Sequence, residues 1–206
     1  MIQRQPIKDL YGLVLTGGKS TRMKQDKAGL DFHGKKQSSF GYELLSNFCE
    51  KVFLSNRSEQ SQEEGQKGFP QIHDKPLYLN SGPIAGILSA MQEYPQVGWL
   101  ILACDLPFIN QSTIDYLLQH RNPEKHATAF LSAHDGLPEP LCAIYEPHAQ
   151  RDLLAYYREG KSCPRKFLIH SQVELLKLPD KMALDNINLP EELEVARKIL
   201  KKKKGS

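Results

Sequence analysis

From Trp99 to Cys104 the chain reads Trp-Leu-Ile-Leu-Ala-Cys, its most hydrophobic run, and that run breaks off at Asp105. A continuous apolar run of this length suits a strand buried on both faces, as in a parallel sheet covered by helices. It therefore reads as a central strand that carries a carboxylate at its C-terminal end. Tyr11 to Leu15 is a second such run and ends in Thr16-Gly17-Gly18. Between the two runs, Phe40, Leu44, Leu45 and Phe48 recur at helical spacing over Ser38 to Cys49, and Val52 to Ser55 follows as a strand. These make a βαβ unit.

The alternation continues. Gln71 to Asp74 reads as a short strand, and Gly82-Pro83-Ile84-Ala85-Gly86 opens an apolar helix through Met91. Gln111 to His120 reads as a helix with Ser112 as its N-cap. Ala127 to Leu131 and Leu141 to Tyr145 are strands joined by the turn-rich 134–138, and helices are expected at Ala149 to Arg158 and Arg165 to His170. A strand at Glu174 to Leu178 and a closing helix from Glu191 complete the series. Ser58 to Gly68, rich in Gln, Glu and Ser, lacks apolar periodicity and reads as an exposed loop or polar helix without a functional role. Strands alternating with helices predict a single-domain, Rossmann-like three-layer α/β sandwich around a mostly parallel sheet. The domain spans 1–200, followed by a basic tail over 201–206.

Composition supports a soluble globular domain: of 206 residues, 40% are hydrophobic and 25% charged. The net charge of +3 comes largely from Lys198 and Lys201 to Lys204, so the body is nearly neutral, which argues against a nucleic-acid partner. That lysine run reads as a solvated helix end, with Gly205-Ser206 as a remnant of expression. Cys49, Cys104, Cys142 and Cys163 are scattered without metal-ligand spacing and read as reduced thiols. The first eleven residues lack a signal-peptide apolar core, and nowhere do roughly 18 apolar residues run together. A cytoplasmic protein without a membrane partner is expected. The seven histidines form no HExxH or triad grouping, which disfavours a zinc or hydrolase site.

In an open α/β sheet, ligands bind beyond the carboxyl ends of the strands. The Gly17-Gly18 loop and Asp105 both sit there, so the two are expected to face each other. Glycines let the backbone approach closely and point N–H groups at phosphate oxygens, and Arg22 and Lys27 can neutralise a triphosphate. Neither G-x-x-x-x-G-K-[ST] nor G-x-G-x-x-G occurs at this loop, which lowers the P-loop and dinucleotide-binding alternatives.

The run LTGGKSTRMKQDKAGL resembles the signature of the molybdenum cofactor guanylyltransferase (MobA) family, within the nucleotide-diphospho-sugar transferase-like superfamily, whose pattern is approximately L-A-G-G-x-S-x-R-M-G-x-D-K. GPIAG at 82–86, CDLPF at 104–108, PLCAIY at 140–145 and NINLPEEL at 186–193 agree with the family in the right order. The departures are Thr16 for Ala, Lys24 for Gly and Leu189 for Thr.

The resemblance implies a Mg²⁺-dependent nucleotidyltransferase that moves GMP from GTP to a molybdopterin-type cofactor and releases pyrophosphate. Recipient molybdoenzymes or cofactor-insertion proteins are implied as partners. Asp105 is the expected metal ligand, and its ordinary alternative is a helix cap. Lys27, with Arg22 as helper, should bind phosphate and stabilise transition-state charge. Leu15, Thr16, Gly17 and Gly18 should contact the nucleotide mainly through backbone. Asp74 matches a nucleoside contact and is equally a turn carboxylate before Pro76, while Asn56 is a further nucleotide candidate. Asn186 and Asn188 could hydrogen-bond the acceptor, or serve as caps or turn formers. Gly-Gly followed by Asp-Lys resembles the guanylyl branch, whereas cytidylyl relatives show Ala-Ala-Gly and Pro-Lys. The alternatives are a cytidylyl- or sugar-phosphate nucleotidyltransferase, or a non-catalytic nucleotide-binding adaptor.

Overall fold

A computed structural model describes residues 5–16, 34–63, 65–186 and the four positions 194, 196, 199 and 200. Arg22, Lys27, Gly17, Gly18, Asn188 and the basic tail lie outside these residues. The strands are β1 (Ile7–Leu15), β2 (Cys49–Asn56), β3 (Gln71–His73), β4 (Gly98–Ala103), β5 (Ala127–Leu131), β6 (Pro138–Tyr145) and β7 (Val173–Lys177). The helices are α1 (Gln37–Ser46), α2 (Pro83–Glu93), α3 (Gln111–Gln119), α4 (Ala149–Arg158) and α5 (Pro164–Ile169). All seven strands form one sheet in the order β3-β2-β1-β4-β6-β5-β7. Only β6 runs against its neighbours, pairing antiparallel with β4 and β5. The expected mostly parallel α/β sandwich is therefore the observed fold.

The run at Trp99 behaves as its hydrophobicity demands. All six residues of β4 are buried, between parallel β1 and antiparallel β6. Alternating side chains feed two apolar clusters, one on each face of the sheet. Trp99 and Ile101 join Tyr11 and Leu13 under α2, α4 and α5. Leu100 and Leu102 join Leu10 and Val14 under α1 and α3. Tyr11 meets Trp99 edge-on at 5.7 Å and 89°, an arrangement that aromatic quadrupoles favour.

Several boundaries differ from the sequence reading. The strand read from Tyr11 begins four residues earlier, at Ile7, across a register shift where Asp9 has a φ of 59°. The first helix ends at Ser46 and Cys49 already belongs to β2, because the Asn47 side chain caps the Glu43 carbonyl at 3.0 Å. Asn110, not Ser112, caps α3: its Oδ1 accepts the Thr113 amide at 3.0 Å, and the Ser112 hydroxyl donates to the same oxygen at 2.7 Å. β6 starts at Pro138 because a tight hairpin turn, with Gly136 at a φ of 69°, lets Pro138 pair with Leu131. The described positions Glu194, Ala196, Ile199 and Leu200 are helical, as the closing helix requires.

Candidate functional site

The chain passes from β1 to β2 on one side of β1 and later enters β4 on the other, so the strand order reverses between β1 and β4. Such a switch point opens a crevice beyond the carboxyl ends of the two strands. The Cys104 amide donates to the Leu15 carbonyl at 3.2 Å, and the Thr16 amide donates to the Ser55 carbonyl at 3.0 Å. Thr16, the residue before the Gly-Gly pair, therefore leaves the sheet beside Asp105. Asn56 and Asp74 stand at the same edge, at the ends of β2 and β3. The candidates from four separate strands are thus gathered on one edge of the sheet.

Helix α2 is pressed close beneath this edge. A Cβ on Gly86 would come within 2.2 Å of Ser55 Oγ and 2.9 Å of Leu15 Cδ2. The glycine that ends the GPIAG block is therefore required by close packing of helix against strand.

Thr16, Asn56 and Asp74 are joined by buried polar contacts. Thr16 Oγ1 lies 2.9 Å from the Ser55 carbonyl and 3.0 Å from Gln66 Oε1, so its single proton is shared between two acceptors. Asn56 Nδ2 donates to Gln66 Oε1 and, at 3.0 Å, to Gln71 Oε1. Asn56 Oδ1 accepts from His73 Nδ1 at 2.7 Å. The Asn56 carbonyl accepts the Asp74 amide at 2.9 Å. Asn56 is fully buried, and its side-chain amide is engaged within the protein. Burial pushes the Asp74 carboxyl up to about 6, with Arg57 pulling it back and Glu59 adding to the rise.

The segment 58–68, read as an exposed loop or polar helix, is mostly exposed among its described residues, with two buried exceptions. Ser58–Gln60 form a 3₁₀ turn, and Gln60 and Gln66 are buried, Gln66 completely. No apolar periodicity announces this, because the segment is held by hydrogen bonds and not by an apolar face.

On the other side of Asp105 lies a cavity of about 1080 Å³. Its described lining brings Asp105 together with Asn186 and with Pro83 of the GPIAG block. Phe108, from the CDLPF block, packs with Ala196 and Leu200 of the closing helix, so two distant sequence blocks form one wall. Arg165 enters the cavity from α5 and is gripped by Asp135 Oδ2 at 3.0 Å and Glu139 Oε2 at 2.8 Å. The Leu137 amide holds the Asp135 carboxyl below its ordinary range and so keeps it ionised beside Arg165. His134 Nε2 bonds Asp185 Oδ1 at 2.9 Å, which ties the β5–β6 hairpin to the segment that presents Asn186. Burial pushes the Cys142 thiol up to about 12, so this lining residue is a neutral thiol and no nucleophile.

Gln66, Arg165 and His134 escaped the sequence reading. Their contacts with other parts of the candidate site lie 10 and 50, 26 and 30, and 51 residues away respectively, and no motif connects them.

Comparison with known proteins gives a consistent picture. The profile of the MobA-like NTP transferase domain matches residues 12–175. A molybdenum cofactor biosynthesis bifunctional protein of Synechocystis is 40% identical over 183 residues, covering 89% of this chain. The chain spans 52% of that relative's length. A probable molybdenum cofactor guanylyltransferase of Clostridium perfringens is 30% identical over 190 residues, covering 92% of this chain and 85% of the relative. Among solved structures, molybdopterin-guanine dinucleotide biosynthesis protein A from Archaeoglobus fulgidus superposes with a TM-score of 0.75 at 26% identity, covering 93% of this chain and 99% of the other.

Proposed function

The chain belongs to the MobA-like NTP transferase domain family, and from that premise we propose that it transfers GMP from GTP to a molybdopterin-type cofactor. The observation that carries this reading is the meeting at one switch point of the nucleotide-loop strand end, Thr16, with Asp105, beside a cavity bordered by Asn186. A phosphate oxygen of the acceptor attacks the α-phosphorus of GTP in line. The bond from that phosphorus to the bridging oxygen breaks, and pyrophosphate leaves with the electron pair. The products are a guanine dinucleotide form of the cofactor and pyrophosphate.

The chain's own residues would divide this work between two sides. Gly17 and Gly18 would offer backbone N–H groups to phosphate oxygens, and Lys27 and Arg22 would neutralise the charge that builds on them. Leu15, Thr16 and Asp74 would contact the nucleoside, and the buried Asn56 would shape that side from within. Asn186 and Asn188 would orient the acceptor, in a cavity one wall of which is Arg165 held in place by Asp135 and Glu139.

Mg²⁺ takes oxygen donors, usually one or two carboxylates completed by substrate phosphates and water. Asp105 fits that demand as a hard oxygen donor on the cavity lining, at the strand end nearest the nucleotide loop. It would hold the ion, which when bound supplies Lewis-acid neutralisation of phosphate charge. Among the described residues no helix is long and apolar enough to cross a membrane. The four free thiols, three of them buried, favour a cytoplasmic setting, with molybdoenzymes or cofactor-insertion proteins as recipients of the product.

Pyrophosphate release measured with GTP, CTP, UTP and ATP in the presence of the pterin acceptor tests the assignment. GTP is expected to lead. A lead for CTP or UTP would move the protein to a cytidylyl- or sugar-phosphate-type activity, and release with none of the four would leave a nucleotide-binding adaptor.

A further inference from the structure

Among the described residues, the Gln66 side chain links two of the nucleotide-side candidates named from sequence, Thr16 and Asn56. Its Oε1 accepts from Thr16 Oγ1 at 3.0 Å and from Asn56 Nδ2, and its Nε2 donates to Glu63 Oε2 at 3.1 Å. Its main-chain carbonyl accepts from Gln71 Nε2 at 2.8 Å, and Gln71 Oε1 takes the other Asn56 N–H. Through Asn56, whose carbonyl holds the Asp74 amide, the connection reaches the end of β3. One side chain from the connection between β2 and β3 thus joins the exits of β1 and β2, and its main-chain carbonyl holds Gln71 of β3.

We infer that Gln66 is a positioning residue of the nucleotide site, setting Thr16 at the head of the glycine loop and holding Asn56 and Asp74 in register with it. The inference rests on the nucleotidyltransferase reading. Thr16, Asn56 and Gln66 are all at most 2% exposed, so no water stands ready to replace a lost partner. Removal of the Gln66 amide strands an Asn56 N–H, which must move to find a new partner, and leaves the Thr16 hydroxyl with the Ser55 carbonyl alone, cut off from the β2–β3 connection. Thr16 immediately precedes Gly17, so any movement of its backbone passes directly into the phosphate-binding loop. The Thr16 hydroxyl and the Gln66 amide are direct partners across 50 positions of the chain.

The test uses the full chain and the nucleotide preferred in the four-nucleotide comparison. In Gln66→Leu, KM and the directly titrated Kd for that nucleotide should rise about tenfold, with kcat at saturation held within about twofold. KM does not depend on how much of the protein is folded. A purely structural role would therefore lower the melting temperature and apparent kcat while leaving KM and Kd unchanged, and that result overturns the proposal. Thr16→Val, which removes only the hydroxyl, should raise KM about threefold; it carries the test if Gln66→Leu does not fold, and an unchanged KM there is equally fatal. The double variant Thr16→Val/Gln66→Leu should be no worse than Gln66→Leu alone, since both act on one linkage; full additivity would separate the two residues and refute the coupling. Failure of the unsubstituted protein to bind or turn over any nucleotide would instead defeat the parent reading, and is distinguishable because it appears before any substitution is made.

Discussion

The Cys104 amide donates to the Leu15 carbonyl at 3.2 Å, and this bond closes the ladder between β1 and β4 one residue short of Asp105. Two segments 89 positions apart in the chain are thereby delivered side by side. Gly17 is the next residue but one after Leu15, so the chain that leads to the Gly-Gly pair and the Asp105 carboxylate start from the carboxyl ends of adjacent strands.

Asp105→Asn keeps the size of the side chain and removes its charge. Turnover is expected to fall by about 10²–10³, the usual loss when a key electrostatic group is removed from such a site. Asp105 belongs to neither apolar cluster, so Asp105→Asn should keep the native fold. Initial rates across a Mg²⁺ titration, beside a thermal melt, make the measurement; undiminished turnover would exclude Asp105 as the metal ligand.

The Asp74 carboxyl, pushed up to about 6 by burial, predicts opposite effects on stability and binding. Its folded-state value lies above the unfolded value, so the folded state holds the extra proton between about pH 4 and 6. Stability from this group is present below that window and is lost as pH rises through about 6. Asp74→Asn should therefore match the parent's melting temperature near pH 4 and exceed it at pH 7. Nucleotide KM should behave the other way: in the parent it rises as pH drops below about 6 and the carboxylate is protonated, and in Asp74→Asn that rise is absent.

Gly86→Ala places a methyl against Ser55 Oγ and Leu15 Cδ2 at distances no relaxed structure tolerates. Ser55 can rotate, but Leu15 is locked in the core, so α2 and the end of β1 must separate. Overpacking of this kind costs about 1–3 kcal/mol. Chemical denaturation should report that loss, and nucleotide affinity should fall with it because Leu15 leads into the glycine loop.

Glu146→Gln serves as the contrast. Glu146 is buried and grips Arg121 through two hydrogen bonds of 2.7 Å each, at the end of antiparallel β6 and hence at the sheet edge opposite the site. Breaking one partner of a buried pair costs about 3 kcal/mol or more, which for a chain of this size lowers the melting temperature by roughly 10 °C. Nucleotide KM should be unchanged. A shift in KM would mean that the two edges of the sheet are coupled.

Much of this architecture was legible from residue pattern. Trp99 to Cys104 could only be an interior strand, since six buried residues in a row need cover on both faces, and the α4 limits Ala149 and Arg158 follow from amphipathic spacing alone. The carboxyl-edge position of Asp105 followed from the same logic. Helix ends were less legible, as at Ser112, because two adjacent polar residues can each cap and only the backbone at Asn110 decides between them.

The sequence by itself determined the sheet class and the family, because hydrophobic period and ordered motif blocks are local properties of the chain. Tertiary structure alone decided which polar residues serve those motifs. Gln66, Arg165 and His134 have no local signature, since a hydrogen bond is made with whatever the fold brings within about 3 Å. The partners here come from strands and turns far away in the chain. The stretch that looked empty between β2 and β3 carries a buried side chain only because the sheet places Thr16 and Asn56 on either side of Gln66.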